Sequence, residues 1–308
     1  MCEPGIFRFL QSLLGYEWKT CNDLLEHVLT KIVGKDARHY SQWALAGTGR
    51  YALVLSCVYR GTFARVLRLV VLRHPSPLRV IVDTGPMYRG RRPLTLVTEE
   101  RFRHEIRMHE LAVRRTMGAS GFQVPFLYAH GILPGHKPSI LIGAAVMERA
   151  QGTLFTWDDL FSTRDEELVR THITTIHKLH RLGLTHNDLH PRNLTIHDGK
   201  PTIFDFGRAV DLSLRDKAEA KRLRVLDLLV PLWSLLRRLS SRPPDHVREG
   251  HTVLRMYLSV TEPRVRRLLG GDLDFVRPFF RLAQSNPPQI REAYECIQTL
   301  LRQRRLFR

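Results

Sequence analysis

The sequence is poor in cysteine, in acidic residues and in long apolar runs, and each shortage excludes something. Its four cysteines, Cys2, Cys21, Cys57 and Cys296, lie far apart with no C-x-x-C pair. That pattern speaks against a zinc site and a disulfide framework, and fits a reducing compartment. No uninterrupted apolar stretch approaches the roughly 18 residues that a membrane-crossing helix needs. The N-terminus carries Glu3 and Pro4 before a short apolar patch, Ile6 to Leu14, without the basic start and cleavage site of a secretory signal. The expectation is an intracellular protein, cytoplasmic or nuclear, with no transmembrane segment. Asp and Glu together number 30 against 48 Lys and Arg, a formal charge of +18. This excess suits a polyanionic partner, nucleic acid, an anionic membrane surface or a phosphorylated glycan, and equally suits a solvated basic surface. Its densest clusters are Arg89-Arg91-Arg92, Arg237-Arg238 and Arg302 to Arg308.

What is present is the composition of a packed globular protein, 43% hydrophobic and 25% charged over 308 residues. That length suffices for one two-lobed domain or two modest ones. Residues 1–40 read as an amphipathic helical extension, with Leu24, Leu25, Val28 and Ile32 at helical spacing and Gly34 as the stop. From Ser41 the texture turns strand-like. Tyr51 to Tyr59 and Phe63 to Leu72, separated by Arg60-Gly61-Thr62, predict a β-hairpin. Residues 73–97, rich in Pro, Gly and Arg, predict a long insertion with a strand at 79–82. A helix is expected from Glu99 to Arg115, then strands at 122–129 and 139–148. Thr163-Arg164-Asp165-Glu166 reads as a capping box before a helix with the stripe Val169, Ile173, Ile176, Leu179 and Leu182. Further helices are expected at 214–239, 246–259, 263–269, 273–284 and 288–303.

The chemistry concentrates in His186-Asn187-Asp188-Leu189-His190-Pro191-Arg192-Asn193, followed by Asp205-Phe206-Gly207 after a short apolar segment. The pair resembles the catalytic loop and metal-binding turn of kinases. Phosphoryl transfer needs a carboxylate to orient the attacking hydroxyl, and oxygen ligands for the Mg²⁺ that neutralises phosphate charge. The resemblance gives Asp188 the first role and Asn193 and Asp205 the second, with His190 beside the base and His186 as a structural brace. Any one of these residues alone is more often a turn cap. Upstream, Gly47-Thr48-Gly49-Arg50-Tyr51-Ala52-Leu53-Val54 resembles the kinase glycine-rich loop, with Ala52 at the third glycine position, where small residues let backbone N–H groups approach phosphates. Arg68 stands where the family has its strand lysine, and arginine is not interchangeable with lysine at a tight phosphate site. Glu105 corresponds to the helix glutamate that pairs with that lysine, and Met147-Glu148-Arg149-Ala150 to the hinge that meets adenine.

These resemblances imply an α+β, two-lobed protein-kinase-like fold. A small β-rich N-lobe would span 41–150 and a larger helical C-lobe 151–308, following the 1–40 extension. ATP and Mg²⁺ are the implied cofactors, and a protein or small-molecule hydroxyl the acceptor. His190 stands where protein kinases carry a lysine, and no Ala-Pro-Glu follows Gly207. Those departures are similar to atypical kinases: RIO-type, lipopolysaccharide-core, and aminoglycoside or choline phosphotransferases. An atypical serine/threonine protein kinase is the leading expectation. The alternatives are a small-molecule or glycan kinase, and a catalytically silent pseudokinase acting as a basic scaffold.

Overall fold

The structure is a computed structural model, which describes residues 4–15, 17–48, 52–73, 81–82, 92–93, 96–118, 121–154, 156–241 and 247–269, with 291 and 295. The chain divides into two compact units, Met1–Val113 with Pro125–Arg149, and Arg114–Val124 with Ala150–Arg308.

The first unit is built on a five-stranded antiparallel sheet of β1 (Tyr40–Thr48), β2 (Leu53–Tyr59), β3 (Phe63–Arg73), β6 (Leu127–Pro134) and β7 (Leu141–Glu148), in the order β1-β2-β3-β7-β6. The β2–β3 hairpin forms where expected. Arg60 and Gly61 take positive φ at its turn, the backbone that tight hairpins require. In the insertion, β4 (Ile81–Val82) pairs with β5 (Arg92–Pro93).

Two helices precede the sheet, α1 (Pro4–Leu14) and α2 (Cys21–Val33). Thr20 and Asp23 cap α2 reciprocally, each side chain bonding the other's backbone N–H at 3.1 Å. Leu10 and Leu13 of α1 and Leu24, Leu25, Val28 and Leu29 of α2 are buried in one core with Leu53, Leu67, Ile142 and Val146 of the sheet. Residues 1–40 thus supply one layer of this unit's core. Cys21 is disulfide-bonded, which corrects the expectation drawn from cysteine spacing, since distance along the chain does not limit approach in space. Cys57 is a free buried thiol whose pKa burial pushes up to about 12.

Helix α3 (Glu99–Thr116) carries Glu99 and Glu100 in its first turn and Arg114 and Arg115 in its last, matching the helix dipole. Phe102 and Ile106 pack with Val70, Val97 and Ala145 in a second small core.

The second unit is helical around short ribbons. It holds α4 (Trp157–Thr163), α5 (Glu166–Arg181), α6 (Lys217–Leu239) and α7 (Val247–Leu269). A three-stranded sheet orders β11 (Lys200–Ile203), β10 (Leu194–His197) and β8 (Thr153–Leu154), and β9 (Leu184–Thr185) pairs with β12 (Val210–Asp211). The cap of α5 is Asp165, which accepts from Leu168 N–H at 3.0 Å. Thr163 instead donates to Asp159 C=O at 2.9 Å and closes α4, so the expected capping box does not form and a single N-cap at Asp165 replaces it. The helices expected at 246–259 and 263–269 form the single α7, running through Pro263. Beyond the proline, buried Val265 and the bond from Arg264 to Thr174 Oγ1 hold the last turns against α5. The helices expected at 273–284 and 288–303 lie outside the described residues. Among the described residues, no helix is long and apolar enough to cross a membrane. The α+β class, with a β-rich and a helical part, is as expected.

Candidate active site

The loop from His186 to Asn193 leaves β9 and is anchored from several sides at once. Asp227, fully buried on α6, accepts hydrogen bonds from His186 N–H at 2.9 Å and Asn187 N–H at 2.5 Å. The same carboxylate contacts His180 Nε2 of α5 at 2.9 Å. Burial alone would raise the Asp227 pKa, but the His180 and backbone contacts outweigh it and hold the group below its ordinary value. Asn187 sits at φ 60°, a left-handed backbone stabilised by its amide, which donates to Thr185 Oγ1 at 2.7 Å and Arg208 C=O at 3.1 Å.

A second anchor comes from α5 and α7. His172 Nε2 lies 3.1 Å from Leu189 C=O, and His172 Nδ1 2.8 Å from Tyr257 Oη. Burial lowers the His172 pKa to about 3, so the ring is neutral. A carbonyl can only accept, so Nε2 carries the proton and Nδ1 accepts from the tyrosine. His186, buried like Phe206, contacts Phe204 C=O at 3.0 Å, with its ring 5.0 Å from that of Phe206. It braces the loop against the Asp205 turn.

On this frame, Asp188 is partly exposed. Burial raises its carboxyl pKa, the Arg208 guanidinium 3.7 Å away and His190 oppose that, and Asp205 adds to it. His190 caps the turn Pro191–Asn193 by accepting Arg192 N–H on Nδ1 at 3.2 Å. Burial lowers its pKa, which leaves a neutral ring with its proton on Nε2. Asn193 donates from Nδ2 to Asp188 C=O at 2.9 Å, which turns its Oδ1 away as the remaining oxygen donor. Phe204 N–H bonds Asn193 C=O at 3.2 Å and brings the next segment alongside. Asp205 follows, exposed, at φ 67°, a strained backbone for a residue with a side chain.

In the first unit, the strand register sets Gly47, Val54, Arg68 and Ala145 in one row across β1, β2, β3 and β7. Arg68 Nη1 meets Glu105 Oε1 at 2.9 Å, with side chains only 14% and 11% exposed. Ala52 is buried in the small core behind them. Gly49 lies outside the described residues. Glu148 ends β7, and its N–H is already taken by Phe126 C=O at 2.8 Å, so it does not offer that group to a base. Ala150 lies two residues on, after Arg149, where the chain passes to the second unit. Within the second unit, Asp188, His190, Asn193 and Asp205 are gathered by the loop and its neighbouring turn. Within the first, Gly47, Val54, Arg68 and Glu105 are gathered by the sheet and α3.

Several site residues were not singled out from sequence. Asp227 had one signal, a lone carboxylate inside the apolar run Val225 to Val230. Arg208, directly after Gly207, could have been found by position. Arg115 forks onto both Asp211 oxygens at 3.0 and 3.1 Å and also bonds Leu182 and Gly183 C=O, tying the end of α3 to β12 within the second unit. His172 and Tyr257 gave no signal.

Comparison with known proteins bears on this loop. Residues 155–211 match the model of the APH phosphotransferase enzyme family. This segment runs from α4 through the catalytic loop to β12. None of the curated proteins matches the chain in sequence. Among solved structures, WaaP in complex with acyl carrier protein is similar at 15% identity and TM-score 0.45, over 92% of this chain and 99% of that one. WbdD bound to the kinase inhibitor LY294002 is similar at 18% identity and TM-score 0.37, over 72% of this chain and 45% of that one. A second WbdD structure gives 20% identity and TM-score 0.38, over 74% and 46%. The fold is α+β, a five-stranded antiparallel sheet in the first unit and a helical second unit. The family match and the loop support an enzyme of the kinase type, a phosphotransferase.

Proposed function

We propose that the chain transfers the γ-phosphoryl group of ATP to an alcohol hydroxyl on a small molecule or glycan. The observation that carries this reading is the catalytic loop. A partly buried carboxylate, an amide oxygen and an exposed strained aspartate are presented together by a loop fixed in the core, inside the segment that matches a phosphotransferase family. In the transfer, the acceptor oxygen bonds to the γ-phosphorus as the bond to the β–γ bridging oxygen breaks. The electron pair leaves with ADP, and Asp188 accepts the hydroxyl proton. His190, with its proton on Nε2, donates a hydrogen bond beside Asp188.

The donor set fits Mg²⁺. Asn193 Oδ1 and the Asp205 carboxylate are hard oxygen ligands, and among the described residues no group of three or more His, Cys, Asp or Glu side chains forms a metal cage. That suits an ion held by one or two protein groups, waters and substrate phosphates. When bound, the ion would neutralise charge on the transferring phosphate. Arg68, oriented by Glu105, supplies the cation for the nucleotide phosphates. By the resemblance, the segment from Gly47 to Val54 would serve the phosphates, and the Glu148 C=O and the Ala150 backbone would serve the base.

A small acceptor is favoured by the path after Gly207. The chain passes through β12 and one short turn into α6, leaving no long segment for cradling a peptide. The second reading, an atypical serine/threonine protein kinase, is favoured by the Asp-Phe-Gly turn with Phe206 packed on His186. A silent scaffold is disfavoured by the retention of Asp188, Asn193 and Asp205 together. Labelling with [γ-³²P]ATP, offering the protein alone, a generic protein acceptor and a panel of sugars and amino alcohols, tests the choice. Label on a sugar or amino alcohol is expected. Label confined to protein would overturn the small-acceptor reading, and no label with any acceptor would overturn the enzyme.

A further inference from the structure

Of the three charge clusters prominent in the sequence, only Arg237, Arg238 and Arg92 fall among the described residues. Arg238 is paired with Asp158 at 2.6 Å and Arg237 lies over the Trp233 ring. The concentrated positive charge lies elsewhere, at the start of α6. There a cavity of about 630 Å³ is lined by Arg215, Lys217, Lys221 and Arg224 around an apolar floor that includes Leu212 and Ala220. No carboxylate lines it. The nearby acids are already engaged: Asp211 by Arg115 and Ser213, Asp216 by the N–H of Glu219, and Glu219 by Arg215 at 3.4 Å. The buried Nε of Arg224 has no hydrogen-bond partner among the described residues. By contrast, the cavity along α3 and β6 balances Arg103, Arg107 and His130 with Glu99, Glu100 and Glu110.

Arg215 already faces Glu219, which leaves Lys217, Lys221 and Arg224, spaced i, i+4 and i+7 along one face of α6, with no carboxylate among the residues lining the depression, a charge arrangement that favours an anion. The cavity is an open depression on the surface, wide enough to admit a phosphate group. It is also coupled to the catalytic loop through the second unit's own backbone. Strand β12, which leads into the cavity, pairs with β9 at the foot of that loop. Arg224 and Asp227 are one helical turn apart on α6, and Asp227 holds the loop's N–H groups.

We propose that this cavity binds a phosphate group already carried by the acceptor, so that the chain phosphorylates a small molecule or glycan that is itself phosphorylated. The anion site stands on its own, and the acceptor assignment rests on the phosphotransferase reading above.

The test uses the full chain, the double variant Lys217→Ala/Lys221→Ala, and Lys200→Ala as a surface control. Retention of the thermal shift given by Mg-AMP-PNP shows that the double variant is folded. Calorimetric titration with inorganic pyrophosphate, in saturating Mg-AMP-PNP to block the nucleotide site, should give binding in the wild type and control that weakens at least tenfold in the double variant. Equal pyrophosphate affinity in all three overturns the site. Loss of binding to a single-stranded oligothymidylate, with pyrophosphate affinity kept, overturns it in favour of nucleic acid. With sugar phosphates as acceptors, the double variant should show a KM raised about tenfold at unchanged kcat, and the unphosphorylated sugars should be poor substrates. Equal KM values for both acceptor types in the wild type overturn the acceptor assignment. Pyrophosphate binding lost in the double variant, with no turnover of any acceptor by the wild type, leaves the anion site standing and removes the phosphotransferase reading.

Discussion

The two halves of the candidate machinery are built differently. In the second unit, the loop bearing Asp188 is held by buried groups from three helices: His172 and His180 of α5, Asp227 of α6 and Tyr257 of α7. Every one of those partners is 3% exposed or less. In the first unit, the cation proposed for the nucleotide is engaged in an ion pair between a strand and a helix, Arg68 with Glu105, still partly open to water. A loop fixed through backbone N–H and C=O groups tolerates no change in its supports. A side-chain pair can change its cation and keep its geometry. The proposed base is therefore held by the core of its own unit, and the proposed phosphate contact by a side-chain pair in the other.

That contrast predicts its own breaking points, beginning with Asp227. Asp227→Ala leaves His180 and two loop N–H groups without their acceptor in a dry site, so the chain should lose about 3–5 kcal/mol of stability by denaturant unfolding. A loss below about 1 kcal/mol would mean that the loop stands without this clamp. Asp188→Asn comes next. It should lower turnover by on the order of a hundredfold or more while Mg-nucleotide still binds, because the proton-accepting carboxylate goes and the shape stays. Asp205→Asn should instead weaken nucleotide binding and make it less dependent on magnesium. Calorimetry with and without Mg²⁺ separates the two, and full activity in either variant with a confirmed acceptor sinks the mechanism.

The same division explains what could be read from the chain. The residues from His186 to Asn193 were legible because their chemistry is contiguous, so spacing alone brings base and amide onto one loop. The β2–β3 hairpin was legible because its turn and flanking alternation are local. Asp227, His172 and Tyr257 were not, since each acts on the loop from a distant helix and has no neighbour in sequence that announces the contact. The continuity of α7 through Pro263 was missed for the reverse reason. A local breaker is visible in sequence, while the packing of Val265 and Arg264 that overrides it is not. The disulfide at Cys21 and the cation-lined cavity at α6 likewise depend on approach in space.

A smaller effect is expected on the adjustable side. Arg68→Ala should weaken Mg-nucleotide binding by about tenfold and leave Glu105 without its 2.9 Å partner. Arg68→Lys should recover most of that loss, because lysine restores the charge while giving up the fork. Unchanged nucleotide affinity in Arg68→Ala would assign the phosphate contact to another cation.

The smallest and most specific prediction concerns pH. His172 is neutral in the folded protein down to about 3, against 6.5 for the free side chain, because burial opposes its charging. Between those values the unfolded chain binds a proton that the folded chain does not. His172 stability is therefore complete above pH 6.5 and falls as the pH drops, by about 1.4 kcal/mol per pH unit for this one group, until the folded ring protonates near 3. Other buried histidines contribute slopes of their own, so the informative quantity is a difference. His172→Gln keeps an N–H that can reach Leu189 C=O but cannot titrate. Denaturant unfolding of wild type and variant from pH 7 to pH 5 should show the gap between their stabilities narrowing toward acid, by about the slope of one proton. Tyr257→Phe, which removes the Nδ1 donor and keeps the titrating ring, should lower stability at every pH and leave the slope near that of the wild type. Parallel curves for wild type and His172→Gln would mean that His172 is not the neutral link between Tyr257 and the catalytic loop.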